Sequence, residues 1–246
     1  MKTLPTISAN DALQKTTASF LDLRSPSEFD ESQLPSSVNL PLLYDNERHE
    51  VGLCYAQHGE QKAIELGHQI LSGKVKTERI RRWCQWANSV SDPVLFCWRG
   101  GLRSQNVQQA LQDEDIVVPR VEGGYKAMRR VLVDLLEGQD CPVIKVISGP
   151  TGSGKTDLIK SLRHSIDLEG LARHRGSVFG AMSPTQPAQA SFENSVAVEL
   201  FFRLQHAFVW AEDEGKLIGR RHLPQLLKDR MNEADYVEVE ECVETR

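Results

Sequence analysis

The chain has 246 residues, of which 40% are hydrophobic, and a formal net charge of −5 at pH 7. This length allows one large or two modest globular domains, and the negative charge argues against a protein that binds nucleic acid indiscriminately. Because no apolar run is long enough to span a membrane and the N-terminus does not resemble a leader, we expect a cytoplasmic protein with no membrane partner.

The first half of the chain alternates short apolar segments with segments of helical spacing. Phe20 begins an apolar strand that ends in polar residues, and Ser25, Pro26 and Glu28 then provide a capped helix start. Apolar spacing predicts further strands at 38–41, 93–97 and 117–118, and helices at 63–71, 78–87, 105–111 and 126–137. Alternating elements of this kind are typical of an α/β fold.

A polar break that carries both Gly138 and Pro142 separates this pattern from a second one. We place the domain boundary there, which gives a first domain at 1–138, with a helical insertion at about 44–90, and a second domain at 139–246. In the second domain the pattern predicts a strand at 143–147, a helix at 157–164, a loop at 183–191, and a strand or buried helix at 201–211.

The segment C-W-R-G-G-L-R-S at 97–104 follows an apolar strand directly. A thiol attacks as the thiolate, so a nucleophilic cysteine needs positive potential around its sulfur. Here two glycines allow backbone amides to turn inward, two arginines add charge, and a helix begins near Ser104. The five cysteines are odd in number and lack C-x-x-C spacing, which favours one reactive thiol over a metal site. We therefore predict Cys97 as the catalytic residue and assign anion binding to Arg99, Gly100, Gly101, Arg103 and Ser104.

A complete phosphate-loop motif, G-P-T-G-S-G-K-T, occupies 149–156 between a predicted strand and a predicted helix. Lys155 would reach the terminal phosphate, and Thr156 would hold Mg²⁺ where a cation is used. Such a site also needs an acid at the end of a neighbouring apolar strand, for which Glu212 and Asp213 are the candidates. The motif leaves open whether the ligand is ATP, GTP or another diphosphate. The predicted diphosphate-binding residues are Gly149, Thr151, Gly152, Ser153, Gly154, Lys155 and Thr156.

Several segments of the first domain resemble the successive landmarks of rhodanese domains. They are D-L-R-S-P-S-E-F at 22–29, the segment at 34–41, the cysteine loop, and E-G-G at 122–124. The resemblance implies a central parallel sheet and a loop cysteine that carries sulfur or selenium. The loop also matches the C-x-x-x-x-x-R signature of cysteine phosphatases, in which Cys97 would attack a phosphate held by Arg103. Against this alternative, Phe96 stands where a histidine is usual, and a phosphatase has no need of the second loop.

The order of the two domains resembles that of the tRNA 2-selenouridine synthase family, with matching motifs at 96–104, 122–126 and 168–177. The resemblance implies a rhodanese-like domain followed by a P-loop NTPase-like α/β domain. It implies a transferase that acts on the tRNA wobble uridine, where selenium from selenophosphate replaces the sulfur of 2-thiouridine. The replacement runs through an S-geranylated intermediate made from geranyl diphosphate. Cys97 would form an S-selanyl intermediate, and the phosphate loop with Lys155 would hold the prenyl diphosphate. Selenophosphate would be bound by Arg99, Gly100, Gly101, Arg103 and Ser104.

Two departures from the family pattern bear on these expectations. Cys54 and Ala56 stand at or near positions where threonine and lysine are expected, so a phosphate or tRNA contact would be missing. The second domain is shorter than the family norm, which implies a C-terminally shortened, incomplete P-loop domain. Shortening would affect prenyl transfer and tRNA docking before the chemistry at Cys97, and it leaves an inactive tRNA- or nucleotide-binding remnant as an alternative.

Overall fold

The computed structural model describes residues 4–138, 141–150, 153–174 and 185–240. The chain divides into two compact units, one of Met1–Asp30 and Ser36–Arg129, the other of Glu31–Pro35 and Arg130–Arg246. Within the described residues, no helix combines the length and the apolar character that crossing a membrane requires. The domain boundary that the sequence suggests after residue 138 stays a prediction.

The first unit contains a parallel sheet surrounded by helices. Its strands are β1 Thr6–Ile7, β2 Ser19–Asp22, β3 Ser37–Asn39, β4 Pro93–Phe96 and β5 Arg120–Val121. Its helices are α1 Ala9–Gln14, α2 Pro26–Glu31, α3 Asp45–His58, α4 Glu60–Ile70, α5 Gly73–Ser89 and α6 Leu102–Asp113, and α7 Gly124–Glu137 begins in it. The strands pair in the order β1-β5-β4-β2-β3, all of them parallel.

The central strands β2 and β4 form the middle of the core. Leu21 and Leu95 lie opposite each other in register and are fully buried. A parallel sheet is covered on both faces, so its central strands are continuous apolar runs. Just beyond the paired segment, the Leu23 N–H donates to the Phe96 carbonyl at 3.0 Å. The chain segments that follow β2 and β4 therefore leave the same edge of the sheet side by side, and Cys97 lies at this edge.

Most elements predicted for the first domain are confirmed. The helices expected at 63–71, 78–87, 105–111 and 126–137 overlap α4, α5, α6 and α7, and the strands expected at 38–41 and 93–97 overlap β3 and β4. The strand expected at 117–118 is wrong, because strand pairing begins at Arg120, after Pro119. Proline has no N–H to donate to a strand ladder, so the apolar pair that precedes it stays outside the sheet.

The second unit contains a second parallel sheet. Its strands are β6 Ile144–Ser148, β7 Ser165–Ile166, β8 Val209–Glu212, β9 Leu217–Ile218, β10 Arg221–His222 and β11 Tyr236–Glu238. Its helices are α8 Lys155–Ser161, α9 Leu168–Ala172, α10 Gln189–Phe201 and α11 Gln225–Glu233. Four strands pair in parallel in the order β11-β6-β8-β7, while β9 and β10 form an antiparallel pair. Because Ile147 of β6 lies opposite Glu212 of β8, the phosphate loop and the end of β8 share one sheet edge.

Three element predictions for the second domain need correction. The helix expected at 157–164 begins earlier and ends at Ser161, after which the chain enters β7. The segment 201–211 is neither one strand nor one helix, because α10 ends at Phe201 and β8 begins at Val209. The loop expected at 183–191 is wrong from Gln189 onward, where α10 begins, and its first two residues lie outside the described residues. The helix begins once the chain has passed Pro187, since proline is compatible only with the first helical turn.

Candidate functional site

Cys97 is the first residue after β4. Its side chain is 3% exposed and belongs to the same buried cluster as Leu95 and Val107. The Sγ of Cys97 lies 3.3 Å from the Oγ of Ser104, which is fully buried and donates to the Gly101 carbonyl at 3.0 Å. The fold therefore brings Cys97 and Ser104, from opposite ends of the loop, into direct contact.

In the cysteine loop the first carbonyl groups have hydrogen-bond partners, whereas the N–H groups that follow have none among the described residues. The carbonyls of Cys97 and Trp98 accept from the N–H groups of Tyr125 and Lys126, at 2.8 and 3.0 Å, in the first turn of α7. Among the described residues, no acceptor is present for the N–H groups of residues 99–101. Successive backbone N–H groups without an acceptor can together form a concave anion-binding site. The sequence analysis expects such a site from the two glycines of the loop.

Two glycines allow the loop to pack against the start of α7. Gly100 and Gly124 have φ angles of 66° and 58°, in the left-handed region. A Cβ on Gly124 would lie 2.2 Å from the Cys97 carbonyl oxygen, and a Cβ on Gly100 would lie 2.6 Å from the Val121 carbonyl oxygen. The close approach to the cysteine loop therefore explains why glycine is needed at the end of the E-G-G segment at 122–124.

Gly124→Ala is expected to lower the free energy of unfolding by at least about 2 kcal/mol, because a left-handed alanine is strained and its Cβ would force the loop away. Denaturant unfolding of the variant measures the loss. Gly101→Ala is the matched control, since its φ is −90° and its Cβ would meet no atom within 4 Å. Equal stabilities of the two variants would contradict the prediction.

The two arginines of the loop differ in their partners. Arg103 forms a two-pronged ion pair with Glu28, with Nη1–Oε2 at 2.6 Å and Nη2–Oε1 at 3.2 Å. Burial acts to raise the pKa of Glu28, but the hydrogen bonds and charge of Arg103 outweigh it and hold the pKa below its usual value. Arg99 is exposed and forms no ion pair with a described residue. Sequence reasoning missed Glu28 as a loop partner, although it lies in the landmark segment at 22–29.

A buried ion pair lies next to aromatic residues of the cysteine loop and of α7. Asp22 and Arg24 are both inaccessible to solvent, and Arg24 Nη2 lies 2.6 Å from Asp22 Oδ2. The guanidinium carbon of Arg24 also lies 3.9 Å from the ring centroid of Tyr125 and 5.7 Å from that of Trp98. Burial raises the pKa of Asp22, and Arg24 opposes the rise. Removing one partner would leave the other charged and buried, which is costly. The pair therefore holds the Arg24 guanidinium in place against the two aromatic rings.

The phosphate loop connects β6 to α8. Gly149 has a φ of 150°, and a Cβ there would lie 2.7 Å from the Val239 carbonyl oxygen, while Gly154 is left-handed with a φ of 78°. Ser153 is 4% exposed, and its buried Oγ has no hydrogen-bond partner among the described residues. Lys155 Nζ donates to the carbonyls of residues 149 and 150, at 2.6 and 3.1 Å. The predicted members Thr151 and Gly152 lie outside the described residues.

The structure distinguishes the two candidate acids. Glu212 is 1% exposed, and its Oε2 lies 3.5 Å from the Thr156 hydroxyl. Asp213 is exposed and accepts from the Ser148 hydroxyl at 3.1 Å. Glu169, which sequence reasoning did not assign, accepts from the Thr156 hydroxyl at 3.1 Å and donates its own N–H to Glu212 at 2.9 Å. The only signal for Glu169 was its place in the family-like stretch at 168–177.

The donors around Thr156 fit a magnesium ion. A hydroxyl and two carboxylates are oxygen ligands, which Mg²⁺ prefers, and it usually adds water and substrate phosphates to them. No group of three or more His, Cys, Asp and Glu side chains in the described part of the chain could hold a metal by itself. A cation here would therefore need the phosphate oxygens of a substrate as further ligands.

The acids near the phosphate loop make stability depend on pH. Burial, together with the charge of Glu169, raises the pKa values of Glu212 and Glu214 to about 7 from 4.5. Between these values the folded protein holds protons that the unfolded chain has released, so the free energy of unfolding falls as pH rises from 4.5 to about 7. Glu212→Gln should reduce this fall in denaturant unfolding across that range, with Asp213→Asn as control. Identical pH profiles of Glu212→Gln and the unmodified chain would contradict the prediction.

Comparison with known proteins identifies a matching family for each of the two parts of the chain. Residues 7–130 match the family model of the rhodanese-like domain, and residues 142–246 match that of the tRNA 2-selenouridine synthase AAA domain. Proteins named tRNA 2-selenouridine synthase from Marinobacter nauticus and Cupriavidus pinatubonensis are 45% and 48% identical to it over 92% of the chain. A crystal structure of the N-terminal domain of a Clostridium difficile protein named for ATP/GTP binding is 29% identical over 52% of the chain and 98% of that domain, with a TM-score of 0.47.

The chain spans somewhat less than two thirds of these relatives, covering 62% of the Marinobacter protein and 63% of the Cupriavidus protein. The matched region includes both the cysteine loop and the phosphate loop. The parallel sheets, the residue matches and the loop geometry agree on the fold of both parts, a rhodanese-like α/β domain and a P-loop-like α/β domain. The chain therefore belongs to the rhodanese-like family and is a homologue of the tRNA 2-selenouridine synthases.

Proposed function

We propose that this chain is a cytoplasmic tRNA-modifying transferase that replaces the sulfur of a wobble 2-thiouridine by selenium. The observation that carries the proposal is the presence of two sites in one chain. One is a buried cysteine in a loop whose N–H groups have no acceptor among the described residues, and the other is a phosphate loop with an acid at the neighbouring strand end. Homology to proteins named tRNA 2-selenouridine synthase supports tRNA as the substrate class and selenium as the element transferred.

The first step is the attachment of a geranyl group to the sulfur. The sulfur of 2-thiouridine attacks the first carbon of geranyl diphosphate, the carbon–oxygen bond breaks, and pyrophosphate leaves as the ring nitrogen loses its proton. Negative charge grows on the departing diphosphate, so Lys155 and the backbone amides of the phosphate loop accelerate the step by stabilising that charge. Mg²⁺ held by Thr156 and Glu212 would supply further neutralisation of the diphosphate.

The second step is the exchange of sulfur for selenium. Alkylation turns the sulfur into a better leaving group, so the selenium of selenophosphate can add to the base carbon and expel geranyl thiol. Water then cleaves the phosphorus–selenium bond, which releases phosphate and leaves selenium on the base. Selenophosphate is an anion, and the N–H groups of residues 99–101 suit its oxygens. Cys97 is buried in the same loop, and we assign it to this selenium-transfer step. Arg103 acts through its pairing with Glu28, which fixes the guanidinium at the loop.

The proposal is tested by incubating the purified chain with thiolated tRNA, geranyl diphosphate and selenophosphate, followed by mass spectrometry of the digested nucleosides. The expected products are the S-geranylated nucleoside without selenophosphate and the selenonucleoside with it. Unchanged nucleoside masses would refute the transferase function. Tight tRNA binding without turnover would instead favour the non-catalytic alternative.

A further inference from the structure

The first unit contains an apolar cavity of about 560 Å³ beside the cysteine loop. This volume lies within the range of about 300–1,000 Å³ that is usual for ligand pockets. On one side the cavity is bounded by the first turns of α6, through Leu102 and Arg103, which are also residues of the cysteine loop. Leu42 and Leu43, which belong to the same buried cluster as Cys97, form its inner wall.

The other side of the cavity is the helix pair α3 and α4. Along α3 the lining residues Arg48, Val51, Gly52 and Tyr55 recur at helical spacing, and α4 lines the cavity from Glu60 to its end in the same way. A helix normally buries such a stripe against the core, yet none of the residues of α3 is buried and Ala63 is the one buried residue of α4. Val51 and Ile70 pack, partly buried, against the core cluster that contains Cys97, and the helix pair otherwise faces the cavity.

The lining is suited to a hydrocarbon chain with a polar group at one end. Its apolar members include Val51, Ala63 and Ile64 on the helix pair and Leu71 directly after α4. At the end next to the cysteine loop, two guanidinium groups meet one carboxylate. Arg103 Nη1 lies 2.6 Å and Arg48 Nε lies 3.9 Å from the same Glu28 oxygen. Arg48 and Arg103 thus place positive charge at this end, which attracts an anion. The other acidic or basic members of the lining are Glu60, at the start of α4, and His68, near its end.

We propose that this cavity binds the geranyl chain of the S-geranylated uridine during the exchange at Cys97. The proposal rests on the proposed function, because the S-geranylated base must present its carbon–sulfur bond at the cysteine loop with the hydrocarbon chain attached. Burial of the chain in the cavity removes apolar surface from water and holds the sulfur next to the loop. The phosphate loop then contacts the diphosphate of the donor, and the cavity contacts the hydrocarbon of the intermediate.

Binding of geraniol to the full chain, measured by isothermal titration calorimetry, tests the cavity without any reaction. Gly52→Phe places a ring in the cavity at a helical position where an added Cβ meets nothing within 4 Å, so the fold should tolerate it. We expect this variant to bind geraniol at least about tenfold more weakly, because the ring occupies the space of the chain. Ala56→Phe, on the same helix but outside the lining, should bind geraniol like the unmodified chain.

Chain length provides a second readout. Prenol lacks one isoprene unit, and we expect it to bind at least about tenfold more weakly than geraniol, since each buried methylene adds affinity. Absence of saturable geraniol binding, or equal binding by Gly52→Phe, would overturn the proposal. Geraniol carries no diphosphate and undergoes no transfer, so its binding is measured independently of the reaction. Failure of the cavity is therefore distinguishable from failure of the proposed function, which shows in the nucleoside masses.

Discussion

Cys97→Ser is expected to lower the rate of selenium incorporation by at least about 10³-fold, while S-geranylated tRNA accumulates. A serine hydroxyl is a far weaker nucleophile than a thiolate near neutral pH, so the step at the cysteine loop should stop. The change is nearly isosteric, and the 3.3 Å contact with Ser104 can persist, so the loop should keep its shape. Rates of selenonucleoside and geranylated-nucleoside formation, followed by mass spectrometry in the same reaction, measure both effects.

Cys84→Ser is the matched control for this variant. Cys84 lies in the same unit, half-buried on α5, where burial and the charge of Glu114 raise the pKa of its thiol. A thiol in such surroundings is a poor nucleophile, so its loss should leave both products unchanged. Selenium incorporation by Cys97→Ser at the rate of the unmodified chain would remove Cys97 from the reaction. Loss of both products in Cys97→Ser would instead indicate a role for Cys97 beyond selenium handling.

The positions of the two loops could be predicted because each is encoded in one short segment. Cys97 follows a buried strand, and Gly149 to Thr156 lie between a strand and a helix, so local sequence sufficed. The partner of Arg103 could not be predicted, since Glu28 is 75 residues away along the chain and only the parallel pairing of β2 with β4 brings it near. The same pairing places the buried Asp22–Arg24 ion pair beneath the loop.

The choice between Glu212 and Asp213 also needed the structure. Both residues follow apolar positions in the sequence, but side chains of neighbouring residues point to opposite faces near a strand end. Glu212 is the last residue of β8 and is buried against Thr156, whereas Asp213 is exposed beside Ser148. The cavity beneath α3 was equally inaccessible to sequence reasoning, because a helix with no buried residue gives little apolar periodicity.

Lys155→Ala is expected to reduce S-geranylation by about 10²–10³-fold, the usual cost of removing one group that stabilises developing negative charge. The ammonium of Lys155 contacts the carbonyls at the start of the phosphate loop, so it lies beside the loop amides that would hold the diphosphate. Without it, the departing pyrophosphate would lose one stabilising positive charge. The initial rate of S-geranylated nucleoside formation from geranyl diphosphate measures this loss directly.

Lys160→Ala is the matched control, because Lys160 lies on the same helix but is exposed, and its one ion pair within the described residues is a 3.8 Å contact with Asp167. Its geranylation rate should equal that of the unmodified chain. When S-geranylated tRNA is supplied in place of geranyl diphosphate, Lys155→Ala should convert it to the selenonucleoside at the normal rate, since that step uses the cysteine loop and the cavity beside it and not the phosphate loop. Slow conversion of this substrate would contradict the assignment of prenyl transfer to the phosphate loop and of selenium transfer to Cys97. Geranylation by Lys155→Ala at the normal rate would show that Lys155 takes no part in prenyl transfer.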